Sequence, residues 1–202
     1  MQKDHSTEQK IKDAARLVFL QKGYAGARME EIAAHAGITK AMLHYYFRSK
    51  EKLFEVIFDE VFRSAIPRIS TVLTSDLDTI GKIEAFVDAY IGILMENPHV
   101  PIFILHELNS NPERFVQKIK EKHGFPDISV IFGEIMNSMM EGKIRAYHPF
   151  HLLMNVLGMC IFPFAARPML KAVGGMDEAG WAAIMADRAA EVKRFIRAAL
   201  VI

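Results

Sequence analysis

The chain has 202 residues, 51% of them hydrophobic and 24% charged, so it is long and apolar enough to bury a substantial core. The net charge of +1 singles out no class of partner, and one cysteine, Cys160, excludes an intrachain disulfide. The charge is unevenly placed: residues 1–52 hold ten Lys/Arg and six Asp/Glu, the remainder fifteen and eighteen, so a basic head that suits a polyanion precedes a mildly acidic body.

Strand signals are nearly absent, and helical spacing recurs along the chain. Ile11, Ala14, Ala15 and Val18 share a face that Gly23 ends. Met29, Ile32, Ala33 and Ala36 mark a short helix that stops at Gly37. Thr39 is placed to cap the next, which carries Leu43 and Phe47; Ser49 is placed to cap a fourth, with Leu53, Phe54, Ile57 and Val61, closed or kinked at Pro67. Further helices are expected over about 79–95, 101–108, from Asn111-Pro112 to Gly124, and over 127–141. An apolar helix opens at His148-Pro149 and reaches about Leu170, Gly174-Gly175 forms a hinge, and a last helix covers about 177–200. Nine or ten helices make an all-α fold. It divides into a helix-turn-helix head, residues 1–52, and a helical body, residues 53–202.

The polar start, Met1 to Lys10, lacks the apolar run of a signal peptide. The most apolar stretch, Leu152 to Ala166, contains Asn155 and Pro163 and falls short of the ~20 apolar residues that cross a bilayer. A cytoplasmic protein with no membrane partner is expected.

Residues 28–47 carry the chemistry. Two short helices joined by Gly37-Ile38-Thr39 have the layout of a helix-turn-helix, with Gly37 free to take the left-handed backbone of a sharp turn. Leu43 and Phe47 anchor the second helix. Lys40, Met42, His44, Tyr45 and Tyr46 are left on its other sides, where a lysine, an imidazole and two phenols suit phosphates and base edges.

The run from Gly23-Tyr24 through Ile32-Ala33-Ala34-His35-Ala36-Gly37-Ile38-Thr39-Lys40 to Leu43-His44-Tyr45-Tyr46-Phe47-Arg48-Ser49-Lys50-Glu51-Lys52-Leu53-Phe54 resembles the amino-terminal domain of the TetR family of transcriptional regulators. The resemblance covers roughly residues 7–56. It implies a homodimer that binds a palindromic operator in double-stranded DNA and is released by a small-molecule effector. It makes Thr39 to Phe47 the recognition helix, with Lys40, Ala41 and Met42 nearest the base edges. It also implies a phosphate contact for His44, a phosphate or thymine-methyl contact for Tyr45, a DNA contact for Tyr46, which matches a common histidine or tyrosine, and a phosphate contact for Lys50 at a helix N-terminus. The chain departs from the family at Ala27-Arg28, where hydroxyl residues are usual; Ala27 loses a cap, and Arg28 is the candidate replacement contact.

In the body, Phe86, Tyr90, Phe103, His106, Glu107, Phe132, Met136, Met140 and Met159 are candidates to line a pocket for an apolar or amphipathic molecule, with ordinary core packing as the alternative. Trp181, Ile184, Met185, Arg188 and Val192 share a helical face expected at a dimer interface, together with the apolar helix after Pro149. His148 and His151 have no third partner for a metal and suit helix capping or an ordinary surface position instead. No cofactor, metal or catalytic constellation is expected. The competing classes are an interaction module that has lost DNA binding and a helical-bundle enzyme acting on a hydrophobic substrate.

Overall fold

The computed structural model describes residues 5–98, 100–110, 112–113, 116–117 and 127–202, without the side chains at 20, 25, 58, 61, 103, 106, 107 and 110. All regular structure among the described residues is helical, in eleven helices: α1 His5–Gly26, α2 Met29–His35, α3 Lys40–Tyr46, α4 Lys50–Leu73, α5 Thr79–Glu96, α6 Val100–Ser110, α7 Ile128–Met140, α8 Pro149–Ala165, α9 Arg167–Gly174, α10 Glu178–Ala186 and α11 Arg188–Leu200. The expected helix after Asn111-Pro112 lies mostly outside the described residues. The chain forms two compact units, residues 1–64 with 102–121, and residues 65–101 with 122–202.

The first unit is built on the expected faces. Ile11, Ala14, Ala15, Val18 and Phe19 of α1 are buried, with Ile32 and Ala33 of α2, Leu43 of α3, and Leu53, Phe54 and Ile57 of α4. Phe54 meets Phe19 edge-on at 5.3 Å between ring centroids and Tyr24 at 4.9 Å, the geometry the aromatic quadrupole favours. Gly23 does break the first helix, through a left-handed φ of 65° inside it. Gly37 turns the chain between α2 and α3 at φ 67°. Lys12 and Arg16 of α1 both pair with Glu60 of α4, Lys12 at 2.9 Å.

The second unit packs α5, α7, α8 and α11 around Val87, Ile91, Ile135, Leu152, Val156, Cys160, Val192, Ile196 and Leu200. A smaller cluster joins Leu94, Phe164, Trp181 and Met185. The α5–α11 seam is edged by Lys193–Asp88 at 2.7 Å and a bidentate Arg197–Glu84 pair at 2.8 and 2.7 Å. Burial pushes the Cys160 thiol up to about 12, so at neutral pH it is an inert core group.

Three expected boundaries change. α4 runs through Pro67 to Leu73; proline only removes one rung of its ladder. The apolar helix after Pro149 ends at Ala165 and the chain bends by 73° into α9, because Pro168 cannot donate to the preceding turn. The last helix is two, separated at Asp187, a residue type that favours helix ends. No single described helix is long and apolar enough to cross a membrane.

Two measurements check this account of the head. A Cβ at Gly37 would touch nothing within 4 Å, so Gly37→Ala isolates the backbone cost. It should lower unfolding stability by about 1–2 kcal/mol in urea titrations. Acid should loosen the α1–α4 seam. Burial pushes the Glu60 carboxyl up, but the hydrogen bond from Lys12 and the charges of Lys12 and Arg16 outweigh it and leave it below its ordinary 4.5. Its stabilisation is therefore complete above pH 4.5 and lost as pH falls through the lower folded value. Glu60→Gln should remove that part of the acid dependence, read as thermal midpoint against pH.

Candidate nucleic-acid interface

The recognition helix is set by what it buries. Leu43, Tyr46 and Phe47, at helical spacing, are 0%, 9% and 7% exposed. Thr39 caps the helix, its hydroxyl accepting from the Met42 N–H at 3.2 Å. Ser49 likewise accepts from Lys52 N at 3.2 Å at the start of α4. The outward side then holds Thr39, Lys40, Ala41, Met42, His44 and Tyr45, all exposed. Tyr46 does not join them: three residues after Leu43 it turns inward, where its ring meets Tyr45 edge-on at 5.6 Å. His44 sits with Nδ1 3.3 Å from the Arg48 carbonyl, which sets its ring at the end of α3.

Arg28 is the N-cap of α2, extended, exposed and without a side-chain cap hydrogen bond. The expected loss of a hydroxyl cap is therefore seen at this helix, though Ala27 itself is buried. Lys50 has a different set of partners from the one expected. Its ammonium donates to the carbonyls of Tyr24 at 2.8 Å and Ala27 at 3.1 Å, and lies 4.5 Å from the centre of the Tyr24 ring. It thus ties the start of α4 to the elbow between α1 and α2, using two of its three donors.

Sequence reasoning missed Tyr24 as the seat of that lysine. It also missed Glu30, whose carboxylate pairs with Lys40 of the recognition helix. Glu30 lies ten residues before Lys40, and only the turn at Gly37 brings them together.

The body residues divide. Phe86, Tyr90, Phe132 and Met159 pack, partly buried, on one core, with Phe86 and Tyr90 stacked at 5.3 Å. Burial raises the Tyr90 phenol, so it stays protonated. Met136 and Met140 are 51% and 76% exposed and leave this group, because Ile135 and Ser138 fix the inward side of α7. The side chains of Phe103, His106 and Glu107 lie outside the described residues. A cleft of about 400 Å³ in the second unit is lined instead by polar groups such as Asp78, Thr79, Lys82, Glu134 and Ser138, and by none of the expected residues. His148 caps α8, its Nδ1 accepting from Phe150 N at 3.3 Å.

Of the residues expected between protomers, Trp181, Met185 and Val192 are 8%, 3% and 1% exposed inside the chain's own core. Arg188 turns inward to donate to the Met159 carbonyl at 2.7 Å. Ile184 alone stands out, at 54%. Across the break at Asp187 the expected face stays continuous, and it turns toward the chain's own core.

A helix-turn-helix with a capped recognition helix and a separate helical body defines a DNA-binding regulator. Residues 11–57 match the pattern of the family described as bacterial regulatory proteins, tetR family. The match places the head of the chain in that family of transcriptional regulators. The chain is 25% identical over 144 residues to the nucleoid occlusion factor SlmA of Aliivibrio fischeri, covering 70% of this chain and 72% of that one. It is 24% identical over 136 residues to a fatty acid metabolism regulator protein of Bacillus subtilis, covering 67% and 69%. A Clostridium perfringens structure, provisionally described as a fatty acid metabolism regulator, superposes with a TM-score of 0.69 at 20% identity, over 96% of this chain and 99% of that one.

The Lys50 tie makes a direct prediction. Lys50→Met removes two charged hydrogen bonds and should lower the stability of the head by about 1.5–3 kcal/mol, read by thermal and urea unfolding. A variant as stable as the parent would show that the tie to Tyr24 and Ala27 carries no weight.

Proposed function

We propose that the protein is a homodimeric repressor that binds a palindromic operator through α3 and releases it when an apolar or amphipathic molecule enters the body. The observation that carries the DNA reading is the two-sided recognition helix. Leu43, Tyr46 and Phe47 hold it from beneath, while Lys40, Met42, His44 and Tyr45 present a cation, an imidazole, a thioether and a phenol outward.

An apolar stripe supports dimerisation. α8 contains no Asp, Glu, Lys or Arg, and its outer side exposes Phe150, Met154 and Phe162. On α10 and α11, Ile184 and Phe195 are also exposed. The proposed interface therefore keeps the expected helices and replaces the buried Trp181, Met185 and Val192 with these outward residues. The effector class rests on the Phe86, Tyr90, Phe132 and Met159 group, and the relative named for fatty acid metabolism points the same way. α4 contributes residues to both units, so it is the proposed element through which effector binding alters DNA affinity. An effector shifts that balance only by its differential affinity for the two states.

The parent should retard the duplex immediately upstream of its own coding sequence, and Tyr45→Ala should weaken that shift while leaving unfolding unchanged. A parent that retards neither that duplex nor random DNA overturns the DNA reading. In sedimentation the parent should run as a dimer, and Phe162→Asp with Phe195→Asp should run as a folded monomer. Medium- and long-chain fatty acids, titrated against the complex, should release DNA; release that fails at saturation of the body removes that effector class.

A further inference from the structure

Glu30 sits where a DNA-binding head has least use for an acid. It occupies the first turn of α2, a favourable place for a carboxylate with respect to the helix dipole. Its neighbour Glu31 is drawn back onto Lys22 of α1 at 2.7 Å. Glu30 is not drawn back: it pairs with Lys40, the first residue of the recognition helix, and both side chains are more than half exposed. The Lys40 hydrogen bond, then one from the Glu30 backbone N–H, then the charges of Lys40 and Arg28 hold the Glu30 carboxyl below the usual glutamate range. Glu30 is thus paired with Lys40 and also feels the charge of Arg28.

The consequence follows from how proteins gain affinity for DNA. Affinity for an arbitrary sequence comes from Lys and Arg that neutralise phosphates and release counterions. A lysine already neutralised by a carboxylate releases no counterion unless it leaves that partner. An exposed ion pair is weakly held, so it yields where the operator offers Lys40 a better arrangement of acceptors, such as guanine O6 and N7. On non-cognate DNA nothing repays the separation, and the carboxylate adds repulsion from the nearest phosphates.

We infer that Glu30 is a specificity-determining residue: by pairing with Lys40 it withholds one positive charge from non-cognate DNA and yields it on the operator. The inference rests on the DNA-binding reading of the head. It lowers sequence-independent affinity without touching the base contacts.

The test uses the full chain, a random-sequence duplex, and a duplex enriched by the parent from a random pool, each titrated across salt. Glu30→Gln keeps the shape and removes the charge. It should steepen the salt dependence on the random duplex by about one charge, which corresponds to ~5-fold tighter binding at physiological salt. The gain on the enriched duplex should be smaller, so the ratio between the two falls. In a Lys40→Gln background the same change should gain little on the random duplex. An unchanged salt slope for Glu30→Gln overturns the inference. So does a loss confined to the enriched duplex, since Glu30 would then be reading a base itself. A parent that binds neither duplex overturns the DNA-binding reading first, and is distinguishable from both.

Discussion

What the head can present to a partner depends on one stripe of side chains leaving water: Leu43, Tyr46 and Phe47 on α3. Fully burying a side chain of the Leu or Phe class is worth about 1.5–3 kcal/mol, so three of them outweigh any preference of the outward residues. Fixing that stripe fixes the azimuth of the helix. Thr39 then fixes its start, and the left-handed turn at Gly37 fixes its angle to α2. Lys40, Met42, His44 and Tyr45 face outward because nothing apolar competes to turn them in.

Polar contacts refine this frame. Lys50 bridges two carbonyls and an aromatic ring, so the elbow that carries Arg28 is positioned by a charge buried more deeply than a surface lysine usually is. Lys40 shares its charge with Glu30. The two lysines that a sequence comparison would treat as equivalent DNA contacts therefore hold different posts. One is a strut within the fold, and the other stands on the exposed side of α3 with a counter-charge beside it.

Much of this was legible in the sequence where short-range rules suffice. The faces of α1 to α4, the caps at Thr39 and Ser49, the turn at Gly37 and the capping role of His148 all follow from spacing and local hydrogen-bond chemistry. Tyr46 was misplaced because a phenol can satisfy either side of a helix, and only the packing beneath α3 decides between them. Trp181, Met185 and Val192 do share a face, as their spacing implies, but periodicity does not say whether an apolar face meets the chain's own core or a partner, and here it meets the core. Met136 and Met140 look like pocket residues by composition, yet Ile135 and Ser138 turn them outward. The Glu30–Lys40 and Lys50–Tyr24 contacts depend on tertiary geometry that no local pattern encodes.

The central claim is that the outward side of α3 lies against DNA bases. It is tested most directly by tethering an iron chelate to Met42→Cys, an exposed position, while Cys160 stays buried and unreactive. With the protein bound to its enriched duplex, the tether should cut at two symmetric clusters, separated by about one helical turn or a multiple of it. The same tether at Met136→Cys on the body should leave the duplex intact. A bound duplex left uncut by the tether at residue 42, or cut equally from residue 136, would contradict the account.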